Sequence, residues 1–136
     1  MYRSIAITLL LITATGVWAH ELTPPKRKMA QFHDKVIATY YAANRFETNE
    51  TFKVEVYDKT EDSEGPETPS INVKTTPQTF DLPPNGRRKI YLHVSGDLDK
   101  KERKDYYICT TRIPRDGDNS VSLVTRVCSI LSVIGV

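Results

Sequence analysis

The sequence lacks an apolar run long enough to cross a bilayer. A membrane-spanning helix needs about 20 predominantly apolar residues, and the run from Ile5 to Ile12 is much shorter. The sequence also lacks an excess of charge of one sign, because its formal net charge is only +2. A nucleic-acid-binding domain usually shows a strongly basic footprint. We therefore expect a protein that is not embedded in a membrane and does not bind nucleic acid.

The N-terminal residues have the pattern of a removable export signal. Arg3 supplies the positive charge, Ile5 to Ile12 supplies the apolar segment, and Val17-Trp18-Ala19 supplies the small residues that signal peptidase reads. Residues 1–19 are thus predicted to be a signal peptide, with His20 as the first mature residue. Without Arg3 the mature chain has 18 basic and 17 acidic residues, a net charge of +1.

Motifs of catalysis and of metal binding are also missing. There is no Gly-x-Ser-x-Gly, no His-Glu-x-x-His and no glycine-rich phosphate loop. We expect neither an enzyme nor a cofactor or metal site. One alternative stays open: the amine and imidazole of a mature N-terminal His20, completed by His33 or His93, would suit copper.

Cysteine is scarce, and Cys109 and Cys128 are the only two in the sequence. They lack the close ligand spacing of zinc motifs. In an exported protein an even pair of cysteines indicates a disulfide. Closing a loop of this length stabilises a fold by roughly 3 kcal/mol.

From Val36 onward the chain consists of short apolar segments separated by turn residues, without a sustained helical period. Strands are predicted at Val36 to Ala42, Phe52 to Val56, Lys89 to Val94 and Tyr106 to Ile113, and the acidic segment from Thr60 to Ser70 is predicted to be a loop. About seven antiparallel strands at such intervals favour an all-β immunoglobulin-like sandwich.

The last predicted strand begins at Ser120 and is apolar on both faces. Such a strand is either buried on both sides or lies at an edge that another chain covers. The sequence alone leaves open which face points inward. One face carries Val121, Leu123, Thr125, Val127, Ser129, Leu131 and Val133, and the other carries Ser122, Val124, Arg126, Cys128, Ile130 and Ser132.

Several of these segments, in this order, resemble one family. Pro77, Phe80 and Leu82 are similar to its proline-phenylalanine-leucine corner, and Tyr106 to Pro114 is similar to its aromatic strand ending in Ile-Pro. From about Lys26 to Leu131 the chain resembles the N-terminal immunoglobulin-like domain of PapD-like periplasmic chaperones of fimbrial assembly. The cysteine pair resembles the long-loop subset of this family, in which a disulfide joins the sixth and seventh strands.

The resemblance implies a chaperone that lends its seventh strand to a pilus subunit whose own fold lacks one. Backbone hydrogen bonds then provide sequence-tolerant pairing, and alternate side chains fill the groove of the subunit. By position the inserted side chains are Val121 and Leu123, with Val127 and Thr125 extending the row. The implied location is the periplasm, and the implied partners are a pilus subunit and an outer-membrane usher.

The family also anchors the C-terminal carboxylate of the subunit with two basic residues. Arg27 lies at the matching place before the second strand, and a guanidinium binds a carboxylate bidentately. Arg126 is the only basic residue on the last strand and is the candidate for the second anchor.

Two departures from the family pattern stand beside the matches. The triplet Lys101-Glu102-Arg103 replaces an acid-arginine-acid triplet, and the sequence stops at Val136, so we expect a single domain, residues 20–136, without the second domain of the family. The alternative function is a secreted, single-domain, immunoglobulin-like binding or adhesion module whose last strand completes its own sandwich.

Overall fold

The structure, a computed structural model, describes residues 20–114 and 125–136. These residues form ten β-strands in two sheets, and the predicted all-β sandwich is confirmed. Within the described ranges there is no helix that is long and apolar enough to cross a membrane.

The first sheet has the strand order β1-β3-β8-β6, and the second has the order β2-β10-β9-β4-β5 with β7 paired to β4. In the first sheet the strands are β1 (His20–Thr23), β3 (Lys35–Asn44), β8 (Arg87–Ser95) and β6 (Val73–Thr76). In the second sheet they are β2 (Lys26–Gln31), β10 (Arg126–Gly135), β9 (Arg103–Ile113), β4 (Glu50–Lys59), β5 (Thr68–Pro69) and β7 (Thr79–Leu82).

The core lies between the two sheets and follows from the alternation of apolar and polar residues. In β8 the buried side chains are Ile90, Leu92 and Val94, while their neighbours are exposed. A strand that covers one face of a core needs this period of two. Each fully buried aliphatic side chain of this kind contributes about 1.5–3 kcal/mol. The other large core side chains include Tyr40, Phe52, Val54, Val56, Tyr106, Ile108, Leu131 and Val133.

The residue pattern alone did not predict a strand in the N-terminal segment, whereas the family resemblance implied a first strand around Arg27. In the structure this segment forms two strands, one in each sheet. Strand β1 pairs antiparallel with β3, the chain then crosses at Pro24 and Pro25, and β2 pairs in parallel with β10. This parallel pair is an exception to the antiparallel arrangement that the sequence predicted. Prolines fit the crossing because they have no N–H to donate to a ladder.

Several strands differ in length from the predictions. The structure extends β4 to Glu50–Lys59 and begins β9 at Arg103, because charged residues at the strand ends continue the backbone pairing beyond the apolar segment. Ser120, the predicted start of the last strand, lies outside the described residues. Within them, β10 runs from Arg126 to Gly135.

Candidate functional site

Strand β10 begins at the edge of its sheet. On one side β9 pairs with it from Arg126 onward. On the other side β2 joins only at Ile130, opposite Lys26. Among the described residues no strand pairs with Arg126, Val127 or Cys128 on that second side, and we call these three residues the open margin. Ser129 is fully buried, and its hydroxyl donates to the Pro24 carbonyl oxygen. Unpaired backbone groups at a sheet edge are the template that strand addition requires.

The side chains of β10 that continue the row of Val121 and Leu123 point into the core over the part that the structure describes. Leu131 and Val133 are fully buried, and Val127 is partly buried and packs against the core. Thr125, just before the strand, is half-buried and its Oγ1 has no hydrogen-bond partner. From Val127 onward the row thus contributes to the core of this domain. Val121 and Leu123 lie outside the described residues, and the insertion of all four side chains into a guest stays a prediction.

The predicted disulfide is confirmed between Cys109 and Cys128. The two residues are directly opposite each other in the pairing of β9 with β10, with their Cα atoms 4.1 Å apart. Cys128 belongs to the open margin. The covalent bond therefore fixes the register of the open margin relative to β9, its neighbouring strand in the same sheet.

Arg126 lies on the outer face of this sheet, among polar side chains. Its guanidinium is 5.6 Å from the centre of the Tyr57 ring, and the Tyr57 hydroxyl donates a hydrogen bond of 2.8 Å to Glu55. The Lys53 ammonium also contacts Glu55 at 2.6 Å. Hydrogen bonds from Lys53 and then from Tyr57 lower the pKa of Glu55. Arg126 is thus an exposed member of a charged surface cluster.

Arg27 lies elsewhere, at the seam between the two sheets. It is half-buried on β2, and its guanidinium donates a hydrogen bond of 2.9 Å to the Thr39 carbonyl oxygen of the opposite sheet. In the same seam the Tyr40 hydroxyl donates to the Ile130 carbonyl oxygen at 3.3 Å. Burial raises the pKa of Tyr40.

The structure does not bring the two candidate anchors together. Arg27 is level with Leu131, five residues beyond Arg126, a distance of about 16 Å along the strand. The two side chains also lie on opposite faces of the sheet, since Leu131 is buried and Arg126 is exposed. This geometry does not allow the two residues to hold one carboxylate together, and the anchor role of each stays a prediction.

A buried ion pair near the start of β10 was missed from the sequence. Arg112 Nε and Glu50 Oε2 are 2.9 Å apart, and Arg112 Nη2 is 3.3 Å from Glu50 Oε1. The backbone N–H of Arg112 donates to the Thr125 carbonyl oxygen, which places the pair beside the open margin. Glu50, Phe52 and Val54 are at alternate positions of β4, so they lie on the same face of the strand. This alternation is the signal in the sequence that identifies Glu50 as inward-facing.

His20 lies in the same end of the sandwich. His20 is 2% exposed, its Nε2 is 3.1 Å from the Thr110 carbonyl oxygen, and the centre of its ring is 5.1 Å from that of the Phe52 ring. Burial lowers the pKa of His20. Nδ1 of His20 and Oγ1 of Thr110 have no hydrogen-bond partner. Across residues 20–114 and 125–136 no group of three or more His, Cys, Asp or Glu side chains is arranged to hold a metal ion.

Comparison with protein-family models finds no match, and comparison with curated proteins finds none either. Comparison with solved structures shows that the chain has the PapD-like fold of fimbrial chaperones. It is similar to the E. coli chaperone DraB, with a TM-score of 0.64 and 19% identity over 84% of this chain and 53% of that one. It is also similar to the Salmonella enterica SafB chaperone solved in complex with the SafA pilin, with a TM-score of 0.68 and 15% identity over 88% of this chain and 56% of that one.

The chain spans about half the length of these chaperones. A different protein contains a similar domain that is about as long as this chain. The PapD-like domain 7 of human CEP192 has a TM-score of 0.62 and 11% identity, over 100% of this chain and 98% of that one. Identities at this level show the fold, and the function is argued from the site.

Proposed function

We propose that this protein is an exported, non-catalytic chaperone that binds fimbrial subunits by lending them the start of its last strand. The observation that carries the proposal is the open margin, where the backbone of β10 is paired with β9 alone. The SafB chaperone, which has a similar fold, is solved with a pilin bound. A pilus subunit is therefore the partner that we propose.

Recognition in this mechanism has two parts. Backbone groups of the open margin pair with an edge strand of the guest and tolerate many sequences. Val121 and Leu123 place alternate side chains in the groove of the guest, and Thr125 and Val127, which this domain half-buries, lie at the base of the row. Each aliphatic side chain buried there contributes roughly 1.5–3 kcal/mol before the cost of ordering the strand.

Arg27 is the proposed anchor for the C-terminal carboxylate of the guest. It lies level with the part of β10 that follows the open margin, and it is only half-buried. Its contact with the Thr39 carbonyl oxygen uses one N–H of a guanidinium that has five. The remaining donors suit a planar carboxylate.

The proposed location is the periplasm, reached through cleavage of the signal peptide after Ala19. The disulfide supports an oxidising compartment, because such bonds persist in secreted and periplasmic proteins. An outer-membrane usher is the proposed second partner, to which the loaded chaperone would deliver its subunit.

A second candidate function is a binding module that uses its last strand for its own sandwich. Two observations favour it: Leu131 and Val133 are fully buried in this domain, and CEP192 has a domain of the same fold and size.

Co-expression with a candidate pilus subunit in the periplasm, followed by co-purification, separates the two candidates. Leu123→Asp is expected to abolish the complex while the free protein keeps its melting temperature, because a charge does not enter an apolar groove. Ile37→Asp is the matched control, since Ile37 is an exposed apolar residue of the first sheet. Failure of the wild-type protein to retain any subunit, or unfolding of Leu123→Asp, would favour the binding module.

A second experiment tests the anchor. Arg27→Ala is expected to weaken retention of the subunit, and Arg27→Lys is expected to restore it only in part because an ammonium is not bidentate. Arg126→Ala is the comparison on the outer face of the same sheet. Equal losses for Arg27→Ala and for a subunit that ends in an amide would support carboxylate anchoring, and additive losses would contradict it.

A further inference from the structure

The outer face of the first sheet is basic and aromatic. Outward-facing residues of β8 include Arg87, Lys89 and Tyr91, and the neighbouring strands add Tyr41 and Lys74. All five side chains are exposed. None of the three basic residues takes part in an ion pair among the described residues. We call these five residues the basic face.

The tyrosines hold the cations of the basic face in place. The Lys89 Nζ is 5.8 Å from the centre of the Tyr41 ring and 5.5 Å from that of Tyr91. The Arg87 guanidinium is 5.7 Å from the centre of the Tyr41 ring. Such contacts restrict long side chains, and a restricted cation loses less entropy when an anion binds. Two positive charges are therefore presented together on a flat surface.

The same chain has an acidic surface with which no cation of the described residues forms an ion pair. The segment between β4 and β6 carries exposed Glu61, Asp62, Glu64 and Glu67, and none of them forms an ion pair among the described residues. This surface is concave: a depression of about 270 Å³ is lined by Asp58, Thr60, Asp62, Ser63, Glu67 and Thr68. A depression of this size admits the end of a lysine or arginine side chain.

We propose that the basic face binds the acidic segment of a second copy of this chain. The basic face belongs to the first sheet and the acidic segment to the edge of the second sheet, and within one copy the two form no ion pair in the described ranges. The mature net charge of +1 gives little overall repulsion between copies. The contact joins two different surfaces, so it is heterologous and leaves one surface of each kind available at the ends.

Sedimentation velocity of the full mature protein tests this association. At about 10 mM salt the Debye length is about 30 Å, and at about 0.15 M it is about 8 Å. The sedimentation coefficient is expected to rise with protein concentration at the low salt concentration and to rise much less at the high one. Arg87→Glu/Lys89→Glu on the basic face and Asp62→Lys/Glu67→Lys in the depression are each expected to weaken association about ten-fold.

The decisive experiment mixes the two charge-reversed variants. Association is expected to return, because the reversed surface of each variant is opposite in charge to the reversed surface of the other. Lys26→Glu/Lys28→Glu is the matched control, since it changes the net charge as much as Arg87→Glu/Lys89→Glu does, at exposed positions of β2. An equal loss in this control, or no recovery on mixing, would overturn the proposal. A wild-type protein that stays monomeric but binds poly-glutamate through Arg87 and Lys89 would also overturn it, and would assign the basic face to a foreign acidic polypeptide.

Discussion

Arg112 and Glu50 form a two-pronged ion pair across neighbouring strands at the end of the sandwich where β10 begins. The Glu50 side chain is 2% exposed and that of Arg112 is 17% exposed. The Arg112 guanidinium also lies 4.8 Å from the centre of the Phe46 ring. A carboxylate buried to this degree depends on its cationic neighbour, because an uncompensated buried charge is costly.

Arg112→Met is expected to destabilise the protein by about 3 kcal/mol, since it removes the cation beside a buried carboxylate. Urea unfolding monitored by far-ultraviolet circular dichroism gives the free energy of unfolding. The double variant Glu50→Gln/Arg112→Met is expected to lose less than Arg112→Met, because it leaves no buried charge. A double variant that loses the sum of the two single losses would contradict this account.

Loss of the disulfide is expected to cost about 3 kcal/mol, because Cys109 and Cys128 are separated by 19 residues in the sequence and the bond restricts the unfolded chain. The measurement is denaturant unfolding of Cys109→Ala/Cys128→Ala beside the oxidised wild type. Reductant is expected to shift the wild-type midpoint and to leave the variant unchanged. Equal midpoints for oxidised and reduced wild type would refute the expectation.

Stability is expected to fall on mild acidification because of His20. Burial lowers its pKa in the native state, so the unfolded chain, with an ordinary histidine pKa of about 6.5, binds the proton more readily. The contribution is complete above about pH 6.5 and declines as the pH falls below this value toward the lowered native pKa. Unfolding free energies measured between about pH 7.5 and pH 5 check the slope.

His20→Phe keeps an apolar ring against Phe52 and is expected to flatten that slope. His93→Phe, on the exposed face of β8, is the control and is expected to retain the wild-type slope. If His20→Phe and the wild type lost stability in parallel, the acid sensitivity would have to come from other groups.

Gly135→Ala is expected to destabilise the protein by about 1–3 kcal/mol, the usual cost of overpacking. An added Cβ would lie 2.2 Å from the Asp99 carbonyl oxygen, which is backbone and belongs to the turn before β9. Gly65→Ala is the matched control, because nothing lies within 4 Å of its added Cβ. Thermal unfolding of the two variants checks the difference, and equal melting temperatures would contradict the steric argument.

The parts of the fold that the sequence predicted are those with local signals. The alternation of Ile90, Leu92 and Val94 with polar neighbours identifies β8 without reference to any other strand. The cysteine pair could be assigned because an exported chain with two cysteines has only one intramolecular pairing. Both predictions are confirmed.

The parts that were missed depend on partners far away in the sequence. Strand β2 was hidden because Lys26-Arg27-Lys28 is a charged run, and its inward face appears only when β10 lies beside it. The sequence could not show which face of β10 points inward, because Ile130 and Leu131 are both apolar. Only the packing of β10 against the opposite sheet distinguishes the two faces. The Glu50–Arg112 pair joins residues 62 positions apart, which no local pattern predicts.

The crossing at Pro24 and Pro25 has a consequence for both edges of the sandwich. The N-terminal segment changes sheets and covers only part of each edge. Among the described residues, β3 ahead of Tyr41 and β10 ahead of Ile130 therefore have a neighbouring strand on one side only. The Arg27 guanidinium occupies one backbone acceptor of the first stretch, the Thr39 carbonyl oxygen. The crossing thus leaves part of one edge uncovered in each sheet, and unpaired backbone groups at such an edge are where a further strand can pair.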